Sequence, residues 1–142
     1  MATARTLREI MTGDVTTARP DSPVYQVARM MRDEDVGSIP VVEDGRLVGI
    51  VTDRDLCLNV LGERKPDDAP VRDFMTARPE TANPDTTIHA AAQIMQTHQI
   101  RRLPVVENDR LVGIVALADL AVDTESEGLK AETLEEVSTP SR

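Results

Sequence analysis

Aromatic side chains are nearly missing from this 142-residue chain, which has one Tyr, one Phe and no Trp. Proteins that grip nucleic acid stack bases on such rings, and a formal net charge of −9 repels a phosphate backbone, so nucleic acid is excluded as a partner class. The same scarcity makes any core aliphatic, built from Val, Ile, Leu, Met and Ala. Cysteine is as scarce: Cys57 stands alone, which rules out an intramolecular disulfide framework and fits a reducing compartment. No apolar run approaches the roughly 20 residues of a membrane span, and Met1 to Glu9 lacks the apolar segment of a secretory signal. A soluble, cytoplasmic protein with no membrane partner is expected.

Catalytic patterns are missing too. There is no Ser/His/Asp, Cys/His or Gly-rich phosphate-loop arrangement, and His89 and His98 have no Cys or acid at metal-ligand spacing. The chain is expected to be neither an enzyme nor a metal protein. Cys57, between Leu56 and Leu58, reads as a small core residue rather than a nucleophile.

What the chain does have is a repeat. Gly49-Ile50-Val51-Thr52-Asp53-Arg54-Asp55-Leu56 returns as Gly113-Ile114-Val115-Ala116-Leu117-Ala118-Asp119-Leu120, an offset of 113 − 49 = 64. The same offset joins Met11 to Met75, Pro20 to Pro84, Met31 to Met95 and Pro40 to Pro104, and Arg46 to Val51 has the same six letters as Arg110 to Val115. One unit is written twice in tandem. Each copy begins with a short strand near Thr16-Thr17 or Thr81. An amphipathic helix follows, with Ser22 as N-cap and Pro23 as first residue in one copy and a start at Asp85 in the other. Two strands come next, Ile39 to Val42 and Leu47 to Val51, joined through Asp44-Gly45, with counterparts at Leu103 to Glu107 and Leu111 to Val115. A second helix covers about Asp53 to Leu61. The expected boundaries are 7–61 for the first repeat, 62–70 for a Pro-rich charged linker, 71–121 for the second repeat and 122–142 for an acidic tail. In that tail Leu129, Leu134 and Val137 can line a short helix. Each strand run is apolar on both sides, so the fold class is α+β, two pseudo-symmetric β-α-β-β-α repeats packed sheet to sheet. The helix faces Val24, Val27, Met31 and Ile88, Ala91, Met95 are expected to stay partly uncovered, which predicts a homodimer.

The hydrophobic-Pro-Val-Val strands (Ile39 to Val42, Leu103 to Val106), the Leu-Val-Gly-Ile-Val strands and the following Thr-x-x-Asp step resemble a tandem pair of CBS domains, the repeats named after cystathionine β-synthase, over about residues 7 to 121. The resemblance implies a regulatory sensor of an adenosine ligand (AMP, ADP, ATP or S-adenosylmethionine), with no cofactor required and a dimer as the usual assembly. It implies that the residues two and three before the strand proline reach ligand phosphates, here Arg101 and Arg102, against Gly37 and Ser38 in the first repeat. An adenine would lie among aliphatic side chains, since no ring is available.

The residues suit that chemistry by themselves. A carboxylate at a helix start accepts hydrogen bonds from ribose hydroxyls, a role open to Asp55 and Asp119. Thr52 offers a hydroxyl beside helix N-terminal amides, with Arg54 next to it. Thr52 and Asp55 equally read as a capping box with no ligand. One site is expected at Thr52, Arg54 and Asp55, completed by Ile100, Arg101 and Arg102. A weaker one is expected around Asp119 with Thr16, Val36 and Gly37. Output is expected to pass through the dimer or an effector protein. A ligand-free protein-interaction module with structural clefts is the alternative.

Overall fold

A computed structural model describes residues 5–120. The acidic tail and its Leu129, Leu134 and Val137 lie outside the described residues. The rest divides into two compact units that cut across the linear repeats. One, the first-repeat unit, holds Thr16–Pro79 with Asp109–Leu111; the other, the second-repeat unit, holds 5–15, 80–108 and 112–120. Each repeat's leading segment therefore packs with the other repeat.

The first-repeat unit contains α2 (Val24–Glu34), β1 (Ser38–Glu43), β2 (Arg46–Thr52), α3 (Asp53–Asp55) running into a π-helical stretch Leu56–Leu61, a 3-10 turn Val71–Asp73 and β3 (Thr76–Ala77). Apolar spacing puts Val24, Val27 and Met31 on one face of α2, and all three are buried. Ser22 is not the cap. Pro23 holds that place, and the Ser22 hydroxyl accepts from Arg19 N at 2.9 Å, closing the turn before the helix. At the far end Asp35 takes a left-handed conformation (φ 55°), which lets Val36 N reach back to Met31 O at 3.0 Å and stops the helix. The Asp44-Gly45 turn has positive φ at both residues, the geometry that joins two twisted antiparallel strands. β1 pairs antiparallel with β2, with Ser38 opposite Thr52 at one end and Glu43 opposite Arg46 at the other. The strand expected at Thr16-Thr17 shrinks to a single parallel bridge, Ala18 to Val41.

The 62–70 segment is hydrogen-bonded to the first-repeat unit: Val24 N donates to Ala69 O and Tyr25 N to Asp67 O, both at 2.9 Å. It leads into β3, which pairs with β2 through Gly49 and Ile50. A Cβ on Gly49 would run into Met75 Sδ and come within 3.0 Å of Thr76 O, so only glycine admits this strand.

The second-repeat unit repeats these devices. Its elements are α1 (Leu7–Ile10), α4 (Ile88–His98), β4 (Arg102–Glu107), β5 (Arg110–Ala116) from residue 112 onward and a helical start at 117–120. α4 is capped at Thr87 rather than started at Asp85, because the Thr87 hydroxyl accepts from Ala90 N at 3.1 Å. Gln99 (φ 54°) ends it as Asp35 ends α2. Gly113 is crowded by Met11 as Gly49 is by Met75.

The buried apolar side chains form two clusters. One joins Leu7, Ile88, Ala91, Met95, Leu103, Val115 and Leu120; the other joins Val24, Val27, Met31, Ile39, Val41, Val51 and Val71. Burying each of the Val, Leu, Ile and Met side chains contributes about 1.5–3 kcal/mol. This corrects the reading of the helix faces: Val24, Val27, Met31, Ile88, Ala91 and Met95 are spent on these cores, so these six offer no surface to a dimer. Cys57 is likewise not a core residue but exposed. Beyond Asp55 the inward positions are Leu56 and Val60, while the π-helical winding turns Cys57, Leu58 and Leu61 outward.

Candidate functional site

At the end of β2 the chain passes from strand to helix in one residue. Thr52 is still extended (φ −113°, ψ 162°) and Asp53 opens α3. Thr52 N donates to Asp55 Oδ2 at 2.9 Å, and Asp55 N donates to Thr52 Oγ1 at 3.1 Å. This reciprocal pair is a capping box, and it holds the half-buried Asp55 carboxylate in a fixed place. The box does not exhaust its members. A carboxylate has about four acceptor positions, and a hydroxyl that accepts a bond still has its own proton to donate.

The start of β1 lies beside this step. Asp53 N donates to Gly37 O at 2.9 Å, and a Cβ on Gly37 would stand 3.3 Å from Asp53 Oδ2. Val36, Gly37, Thr52 and Asp55 are thus gathered at one strand end, with Arg54 exposed on the helix. Thr16 precedes the Ala18 bridge that runs parallel to β1.

Ser38 is the residue that the motif reading undervalued, because it registered only as a missing charge. It stands opposite Thr52, so the two side chains share a sheet face. Its Oγ is buried with no hydrogen-bond partner among the described residues. A buried polar atom left unpaired costs about 1–3 kcal/mol, and no sequence pattern announces one.

The second-repeat unit carries the matching strand end with different chemistry. Leu117 N donates to Arg101 O at 2.7 Å, as Asp53 does to Gly37, and Ile100 N donates to Met95 O at 3.0 Å. Ala116 N donates to Asp119 Oδ2 at 3.2 Å, which is half of the capping box, since Ala116 has no hydroxyl to return. Arg101 is exposed, Arg102 half-buried and Asp119 exposed.

A family model described as CBS domain matches residues 7–62 and again 71–122. The chain belongs to the CBS-domain family. Among its relatives is the CBS domain-containing protein YhcV of Bacillus subtilis, 42% identical over 117 residues that cover 82% of this chain and 84% of that one. Hypoxic response protein 1 of Mycobacterium tuberculosis is 34% identical over 118 residues, 82% of each chain. A crystal structure of Hypoxic Response Protein I with two coordinated zinc ions matches with a TM-score of 0.77 and 33% identity, over 82% of this chain and 97% of that one. The crystal structure of CBSX2 in complex with AMP matches with a TM-score of 0.76 and 26% identity, over 87% and 98% of the two chains. Among the described residues no three His, Cys, Asp or Glu side chains come together as a metal site, and His98 Nε2 lies 3.3 Å from a single acid, Glu80. No helix among them is long and apolar enough to cross a membrane.

Proposed function

We propose that this protein is a regulatory module that binds an adenosine ligand carrying phosphate, AMP in the first instance, at the Thr52–Asp55 step, and that it acts through a homodimer or a partner protein. The observation that carries the reading is the Ser38 hydroxyl. A capping box alone accounts for Thr52 and Asp55, but not for a buried, unpaired Oγ on the same sheet face. A ligand oxygen would satisfy Ser38 once the atoms covering its Oγ give way, and would draw on the Thr52 hydroxyl, while Asp55 accepts from the ribose diol and Arg54 adds positive charge. CBSX2, of the same fold, has been crystallised with AMP.

The equivalent strand end extends the proposal. Ile100, Arg101 and Arg102 occupy the places of Val36, Gly37 and Ser38, and guanidinium groups are shaped for phosphate oxygens. Asp119 takes the part of Asp55 at that end, as a weaker site, because the alanine at 116 removes the hydroxyl donor. As to assembly, among the described residues the exposed large apolar side chains are Leu58, Leu61 and Tyr25, not the faces of α2 and α4. Leu58 and Leu61 belong to the helix that Asp55 begins, so a dimer seated on them would feel the ligand. A monomer by light scattering at micromolar concentration would remove the dimer from this reading.

Calorimetric titration tests the ligand class. AMP is expected to bind more tightly than adenosine at low salt, and the advantage is expected to shrink as salt rises, since part of it is screened attraction. Equal affinities at low salt would dismiss the phosphate role. Failure of both to bind would favour a ligand-free interaction module.

A further inference from the structure

An open cavity of about 580 Å³ lies within the first-repeat unit at the opposite end of β1, lined among others by Arg19, Asp21, Glu43, Asp44 and Arg72. The 64-residue offset gives its counterpart in the second-repeat unit residue by residue: Asn83 for Arg19, Asp85 for Asp21, Glu107 for Glu43 and Arg8 for Arg72. The backbone is the same in both places. Arg8 N donates to Pro84 O at 2.9 Å and Arg72 N to Pro20 O at 3.0 Å, so the two arginines start from equivalent positions.

Their side chains do different things. Arg8 Nη2 reaches both Asp85 Oδ1 at 3.4 Å and Glu107 Oε2 at 3.5 Å and closes the second-repeat unit with an ion-pair bridge. In the first-repeat unit Arg19, where the other copy has a neutral Asn, takes Asp21 instead, with Nε 3.7 Å from Oδ1. Arg72 and Glu43 are then left without an ion-pair partner among the described residues, and both line the cavity.

We infer that this cavity is a binding site for a small zwitterion of the α-amino-acid class. Its carboxylate replaces Glu43 as the partner of Arg72, and its ammonium replaces Arg72 as the partner of Glu43, with Asp44 beside it. A simple anion would meet Glu43 and Asp44, and a simple cation would meet Arg19 and Arg72; a molecule with both charges meets neither penalty. A planar guanidinium is suited to grip a carboxylate with two parallel hydrogen bonds. The volume falls in the range of small-molecule sites. The inference stands apart from the nucleotide reading, because it uses none of the same residues.

The test is an NMR titration of the ¹⁵N-labelled full chain with L-alanine, L-serine, L-glutamine and L-leucine, then with N-acetyl-L-alanine and L-alaninamide. Saturable shifts are expected at the amides of Arg19, Glu43, Asp44 and Arg72 with at least one free amino acid. Blocking either end is expected to weaken binding at least tenfold, as are Arg72→Ala and Glu43→Gln. Both residues are exposed, and an unchanged spread of the remaining resonances shows that the variants are folded. Arg19→Asn, which copies the second repeat and releases Asp21 to Arg72, is expected to weaken binding as well. The inference is overturned if none of the four amino acids gives saturable shifts, if the blocked derivatives bind as well as the parents, or if Arg72→Ala binds as the wild type does.

Discussion

The two strand-to-helix steps leave identical strands, Arg46 to Val51 and Arg110 to Val115, and part company at the next residue. Thr52 gives the first-repeat unit a complete capping box; Ala116 gives the second only the half that Asp119 supplies. Where the paired strand begins, the first unit has Gly37 and Ser38 and the second has Arg101 and Arg102. The backbone contacts are nonetheless conserved between the two, Asp53 N to Gly37 O and Leu117 N to Arg101 O. Two copies of one scaffold have therefore diverged in the side chains at the strand ends while keeping the hydrogen bonds that build them. One end offers hydroxyls and a fixed carboxylate, the other guanidinium groups. Divergence at such positions is what two unequal binding surfaces would require.

The largest expected effect breaks the comparison at its acids. Asp55→Asn keeps a polar side chain able to cap but loses the charged acceptor, so stability is expected to fall by less than about 1 kcal/mol. Loss of charge-assisted hydrogen bonds to a ribose costs about 1.5–3 kcal/mol, roughly ten- to hundredfold in AMP affinity. Asp119→Asn is expected to leave that affinity nearly unchanged. If calorimetry finds AMP binding intact in Asp55→Asn, the step is a helix cap and nothing more.

The next effect concerns what the two units share. Gly49 and Gly113 each lie under a methionine, Met75 and Met11, and within 3.0 Å of a backbone oxygen for any added Cβ. Gly49→Ala and Gly113→Ala must push a packed side chain and a strand apart, so each is expected to cost about 1–3 kcal/mol. Chemical denaturation measures both. A large cost at one glycine and none at the other would show that the leading segments are not held alike.

How much of this was written in the sequence depends on whether the determinant is local. The repeat, both hairpins and the buried faces of α2 and α4 follow from spacing and from positive-φ turn residues such as Asp44-Gly45, which act within a few positions. The pairing of β3 with β2, and of Thr12 with Ile114, does not. A two-residue strand carries no periodicity, and its place is fixed by a glycine far along the chain. The outward turn of Cys57 was hidden as well, because Leu56-Cys57-Leu58 is apolar on every side and the run by itself does not say which residue faces the core. At the candidate site Thr52 and Asp55 were legible, yet cap and ligand site ask for the same residue types. The proposed function leans on Ser38 instead, and its isolation depends on what surrounds it in space.

The smallest expected effect rebuilds the missing half of the second box. Ala116→Thr places a hydroxyl where Thr52 has one, within reach of the Asp119 amide if the backbone of the step is the same in both copies. Ala116 is half-buried and ends β5 as Thr52 ends β2, so the added atoms point where the first copy already accommodates them. An N-cap oxygen typically contributes about 0.5–2 kcal/mol over alanine. Since Asp119 is exposed, the lower end applies, and Ala116→Thr is expected to stabilise the chain by about 0.5–1 kcal/mol. Thr52→Ala, the reverse change, is expected to destabilise it by a similar or larger amount, because Asp55 is the more buried acid. Thermal unfolding of the two variants reads both signs. Should Ala116→Thr destabilise the protein, the two steps differ in backbone as well as in side chain, and the equivalence on which their comparison rests would not hold.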